Sequence, residues 1–103
     1  MEDVSAKTYR LEDGTLHVMK DLRQDFDLSF DQACSDLLDS PQNALKIDLS
    51  HASYVNSTYI GMIAATFFQA QARGKTLTVC AQSAVLQILR AAGFDGFIQL
   101  ESA

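Results

Sequence analysis

"LKIDLSHASYVNSTYIGMIAATFFQAQARGKTLTV", running from Leu45 to Val79, is the stretch that decides the fold. It opens with Ile47 and Leu49 alternating with Lys46 and Asp48, the period-two pattern of a strand with one buried face. It runs into "KTLTVCA" (75–81), a second strand. Between them the period changes. Ile60, Ile63, Ala64, Phe67 and Phe68 recur at helical spacing, which predicts a helix over 58–73 with Gly74 beyond it as a left-handed stop. A strand, a helix and a strand in so short a span imply a crossover between parallel strands.

Working outward, "AKTYRLE" (6–12) and "TLHVMK" (15–20) flank Asp13-Gly14, a hairpin signal. A helix is expected over 29–38, with Ser29 as N-cap and Phe30, Ala33, Cys34, Leu37 and Leu38 on one stripe. Pro41 ends it. Downstream, Ser83 should cap a helix over 83–92 that Gly93 closes, and "GFIQL" (96–100) makes a last strand. The order β-β-α-β-α-β-α-β over residues 1–103 is that of one α/β domain, a mixed sheet whose last four strands are parallel. Ile47, Leu49, Ile63, Phe67, Val79, Leu86 and Leu89 are the expected core.

The 103 residues suffice for one modest core. Hydrophobic residues make up 48%, with five glycines and one proline, which argues against disorder. Net charge is −5 and lies wholly in the first half: residues 1–50 hold 11 acids and 5 bases, residues 51–103 hold 2 acids and 3 bases. With no Lys/Arg stripe, nucleic acid is not an expected partner. The N-terminus is acidic and lacks an apolar stretch, and no segment reads as a membrane span, so the cytoplasm is the expected compartment and direct membrane insertion is not expected.

Catalytic signals are weak. Cys34 and Cys80 are isolated, and no clustered His points to zinc. Asp48 and His51 lie three apart at a strand end without a triad signature, and His17 sits in mid-strand. The glycines form neither G-x-G-x-x-G nor a P-loop. No enzyme, metal or cofactor is indicated.

The hydroxyl cluster is the remaining signal. Asn56, Ser57 and Thr58 are natural caps for the second helix. Yet no Asp, Glu, Lys or Arg occurs from Leu49 to Ala72. On a helical period Gly61, Met62, Ala65 and Gln69 share a side with Thr58, and a solvated face would carry Lys and Glu there. Small residues with one Met suit close approach by another protein.

The quoted stretch resembles the signature region of STAS domains, the bacterial anti-sigma factor antagonists, or anti-anti-sigma factors. In that family a strand of the l-D-l-s type leads to Asp-Ser-Ser/Thr-Gly-Leu-Gly at the start of a helix. Asp48, Asn56, Ser57, Thr58, Ile60 and Gly61 fall on those positions, and "LQILRAAGFDGFIQL" is similar to the family's closing helix and strand. The resemblance spans roughly residues 5 to 101. It implies a regulatory switch in which Thr58, with Ser57 as second choice, is phosphorylated by a cognate serine/threonine kinase that is itself the anti-sigma factor. The docking surface it implies comprises Asn56, Ser57, Thr58, Tyr59, Gly61, Met62 and Ala65. Asn56 replaces the motif's Asp, and Tyr59 replaces its first Gly, placing a ring where a kinase would approach. The alternative is a STAS subunit that is not phosphorylated, resembling the cytoplasmic partner of an ABC transporter ATPase in a lipid-transport complex or a component of a larger signalling assembly.

Overall fold

A computed structural model describes residues 8–103, so Ala6 and Lys7 of the first expected strand lie outside the described residues. β1 (Tyr9–Glu12) and β2 (Thr15–Val18) form the expected hairpin. Asp13 and Gly14 both take positive φ (48° and 80°), as a tight turn matching strand twist requires. A Cβ on Gly14 would also come within 3.0 Å of the Gln42 side chain, which would have to give way.

The remaining elements are α1 (Leu28–Leu38), β3 (Ala44–Leu49), α2 (Ser57–Ala72), β4 (Thr76–Ala81), α3 (Ser83–Ala91), a 3-10 turn (Phe94–Gly96) and β5 (Gln99–Ser102). The sheet order is β1-β2-β3-β4-β5, with β2 to β5 mutually parallel, and this is the expected mixed sheet. Leu16, Ile47, Val79 and Leu100 stand in register across it and face the helices. The other side of the sheet carries Thr15, His17, Lys46, Asp48, Thr78 and Cys80, all half-buried. This polar alternation is what a sheet covered by helices on one side only demands.

Four local expectations are corrected. Asp27, not Ser29, caps α1, accepting from Phe30 N–H at 2.9 Å. Ser83 is the first residue of α3, and its N-cap Gln82 makes no side-chain cap bond. The final strand begins at Gln99 because Phe94–Gly96 first close a 3-10 turn after Gly93. The largest correction concerns α2. Its buried residues are Tyr59, Ile63, Thr66 and Ala70, while Phe67 is half-buried and Phe68 is 55% exposed. At 100° per residue this core face is turned by about a quarter of a turn from the stripe expected from Ile60 to Phe68. The turn is possible because Tyr59 and Thr66 find partners for their hydroxyls inside, Tyr59 on Asp27 and Thr66 on the Met62 carbonyl. Ile47, Leu49, Ile63, Val79, Leu86 and Leu89 are buried as expected.

Candidate functional site

The N-terminus of α2 is held by a neighbouring segment, residues 19–27, which links β2 to α1. Leu22 and Val55 form an isolated parallel bridge, with Leu22 N–H donating to Tyr54 O and Asn56 N–H to Leu22 O, each at 3.0 Å. One residue upstream, the Asp21 carboxylate accepts from the Ser53 N–H (2.6 Å) and hydroxyl (2.9 Å), which hold its pKa below the ordinary value. The chain entering α2 is thus pinned before the helix starts.

Asn56 then does two things. Its Oδ1 caps the helix by accepting from Tyr59 N–H (3.2 Å), and its Nδ2 donates to Gln24 O (3.0 Å). An Asp could supply the first bond but has no donor for the second. Tyr59 adds the third tie. Its ring is fully buried, edge-on to Phe30 with centroids 5.1 Å apart, and its hydroxyl donates to Asp27 Oδ2 at 2.7 Å. Tyr9 donates to the same oxygen. Burial by itself would raise the Asp27 pKa, but the Tyr9 and Tyr59 hydroxyls and Phe30 N–H outweigh it and hold the carboxyl below the ordinary range. Reciprocally, burial and the Asp27 carboxylate push the Tyr59 hydroxyl up to about 12.

The sequence places Tyr59 on the docking surface, and the structure corrects this. The ring is in the core and cannot stand in the way of an approaching protein. No local signal could have shown it, since Asp27 lies 32 residues away. Both departures from the motif, Asn56 and Tyr59, have one physical effect: each ties the first turn of α2 to residues 24–27.

The other residues of the expected surface do come together. Ser57, Thr58, Gly61 and Ala65 are exposed, Met62 and Asn56 half-buried. Among the described residues neither hydroxyl of Ser57 and Thr58 has a hydrogen-bond partner, and as the first two helical residues their N–H groups have no carbonyl a turn earlier to bond. Thr58 and Met62 help line a cavity of about 350 Å³ whose other walls include Asp25, Phe26, Asp27 and Leu28. Ser57 does not line it. Asp31 and Met62 are also walls of a second cavity of about 240 Å³ between α1 and α2, with Cys34, Leu38, Ala65 and Gln69. Phe26 and Leu28, 72% and 66% exposed, stand at the mouth beside Thr58.

Sequence reading also missed a pair across the sheet. Asp48 accepts from His17 Nδ1 at 3.0 Å, not from His51, because His17 and Asp48 face each other in the β2–β3 register. The next residue in register, Cys80, has its thiol pushed up by burial and by Asp48, the opposite of an activated nucleophile. Among the described residues no group of three or more His, Cys, Asp or Glu is placed to hold a metal ion, and no helix is long and apolar enough to cross a membrane.

A parallel sheet with an antiparallel first strand, helices on one side and a polar cap at the start of α2 define the STAS class of α/β fold. The chain belongs to the STAS domain family: a family model described as MlaB, STAS domain, matches residues 6–100. Two solved structures share the fold. One is described as a candidate anti-sigma factor antagonist from Thermotoga maritima, with a TM-score of 0.75 and 17% identity over 92% of this chain and 85% of that one. The other is an anti-sigma factor antagonist from Mycobacterium paratuberculosis, with a TM-score of 0.71 and 22% identity over 90% of this chain and 81% of that one. The comparison with curated proteins gives no match.

Proposed function

We propose that this chain is a regulatory docking module of the anti-sigma factor antagonist kind, which binds an anti-sigma factor through the first half of α2 and so acts on transcription. The observation that carries the reading is the exposed pair Ser57 and Thr58, whose hydroxyls are unbonded among the described residues, at the start of a helix that bears no charge up to Ala72. A phosphate there is favoured locally by the free N–H groups and the helix dipole, so the fold survives it. It also adds about −1.5 to −2 charges to a face that must be desolvated on docking. The partner in this reading is an anti-sigma factor of the serine/threonine kinase type.

Thr58 is the first choice as gate and Ser57 the second, and their settings differ. Thr58 lines a cavity walled by Asp25, Asp27 and Asp31 and Ser57 does not, so a phosphate on Thr58 meets like charge that one on Ser57 is spared. Thr58 is therefore the costlier acceptor and the stronger disruptor. Incubation with ATP and a lysate of the source cells, followed by mapping of the phosphate in wild type, Ser57→Ala and Thr58→Ala, tests the switch. Phosphate at 57 or 58 supports it.

A second reading, a constitutive subunit partnered by an ABC transporter ATPase, is favoured by the ties of Asn56 and Tyr59 to residues 24–27. They hold the first turn of α2 fixed, and Asn56 brings no carboxylate. No phosphate at 57 or 58 together with stoichiometric co-purification of an ATPase would select it.

A further inference from the structure

We propose that the trough between α1 and α2 is the seat of a partner helix with an apolar stripe flanked by Lys and Arg. The proposal rests on the docking function above and names the chemistry of what docks there. Thr58, Met62, Ala65 and Gln69 succeed each other at steps of four, three and four, and all four line one or both of the two cavities. The cavities share Asp31 and Met62, so they follow one path along α2. At 1.5 Å per residue that path is roughly 16 Å long, about three helical turns. The floor is made of small and flexible side chains, which let a backbone approach closely. The end with Thr58, Phe26 and Leu28 is mostly apolar and the end with Ser35, Thr66 and Gln69 mostly polar, so an amphipathic helix seats its apolar stripe at the Thr58 end.

Charge selects the occupant. Asp25 and Asp31 stand on the walls, and neither has an ion-pair partner among the described residues. No Lys or Arg lines either cavity. Residues 21–39 hold six aspartates against one Arg, so the α1 side of the trough is acidic while the α2 side is neutral. Phe26 and Leu28, the most exposed large apolar side chains among the described residues, flank the mouth and offer anchors to the stripe. A helix with Lys or Arg beside its stripe satisfies the carboxylates, whereas one with Glu or Asp desolvates like charges against them. A phosphate on Thr58 lies at the entrance to the same trough and obstructs the seat sterically.

The test displays two matched libraries on one helical scaffold. Both randomise an apolar stripe over Leu, Ile, Met, Phe and Val; the flanks are Lys, Arg or Gln in one and Glu, Asp or Gln in the other. Each is selected against the wild-type chain. The proposal expects binders from the basic library alone, weakened at least tenfold by Ala65→Trp, which fills the floor, and at least tenfold by Asp31→Lys. Both positions are exposed, and a melting curve for each variant checks that it is folded. Binders from the acidic library at a comparable rate, binders indifferent to both variants, or no binders at all overturn the proposal. Should the trough fail while Thr58→Glu still weakens a co-purified partner, the docking function stands and only the helix in the trough falls.

Discussion

On one flank of α2 stand Thr58, Met62, Ala65 and Gln69; on the other stand Ile60, Ala64, Phe67 and Phe68. The second flank is by far the more hydrophobic. The chain covers it only in part, and Phe67 and Phe97 line a cavity of about 270 Å³ of their own. Phe97 stacks on Phe68 (centroids 5.6 Å apart, 10° between planes), meets Phe67 edge-on at 5.4 Å, and rests against Phe94 at 5.3 Å. The first flank has small side chains, faces two cavities, and meets Asp25 and Asp31 across them, neither in an ion pair among the described residues. Hydrophobicity explains why Phe68 and Phe97 cluster, while the hollow beside Thr58 is the site proposed for another protein.

The contrast can be broken at the anchor beneath the first flank. If Tyr59 holds α2 from inside, Tyr59→Gly hollows the core and should cost about 4 kcal/mol of unfolding free energy, read from urea denaturation. A surface ring over a kinase site would instead give a change of about 1 kcal/mol or less, the helix propensity of glycine.

A smaller effect sharpens the same point. Asp27→Asn keeps a cap for α1 but loses the charge that two phenols and one N–H stabilise, at a cost of about 1.5 kcal/mol. The pH dependence follows from the lowered pKa of Asp27. Its contribution is fully present above the ordinary aspartate value of 3.8 and is lost as pH falls through the lowered folded-state value. Stability of the wild type should therefore decline on acidification below about pH 4, and Asp27→Asn should flatten that limb. Tyr59 acts at the other end. With its pKa raised from 10.0 to about 12, its contribution is complete below pH 10 and fades as pH rises through 12. Equal acid limbs in wild type and Asp27→Asn would remove the carboxylate from the account.

The smallest effect belongs to the aromatic flank. Phe68 is more than half exposed, so Phe68→Ser should shift stability by about 0.5 kcal/mol. Its affinity for a partner should be that of the wild type, by calorimetry.

What the sequence made legible follows from which interactions are local. Strands β3 and β4, the Asp13-Gly14 turn and the stop at Gly74 (φ 74°) rest on period two and on backbone conformations that few residues adopt, and they stand where they were expected. The orientation of α2 did not, because apolar content ranks Phe67 and Phe68 above Tyr59 and Thr66. The partners that let those two polar side chains turn inward are invisible to a helical period, and for Tyr59 the partner is Asp27 at the start of another helix. The pairing of His17 with Asp48 was hidden for the same reason, since it depends on a strand register that no local pattern fixes. The candidate surface was legible in composition, as a helix without charge. The trough was not, because half of its wall belongs to α1.

The most direct test of the account is the affinity of Thr58→Glu for the co-purified partner, measured by calorimetry alongside Thr58→Ala and the wild type, with melting temperatures for all three. A longer, charged side chain at the mouth of the trough should weaken binding by about 2 kcal/mol, roughly thirtyfold, because it obstructs the seat and must shed its water on docking. The melting temperature should change little, since the helix dipole favours an acid in the first turn while Asp25, Asp27 and Asp31 nearby oppose it. Thr58→Ala should bind as the wild type does. Wild-type affinity in Thr58→Glu, with the protein folded, would contradict the assignment of this flank as the docking face.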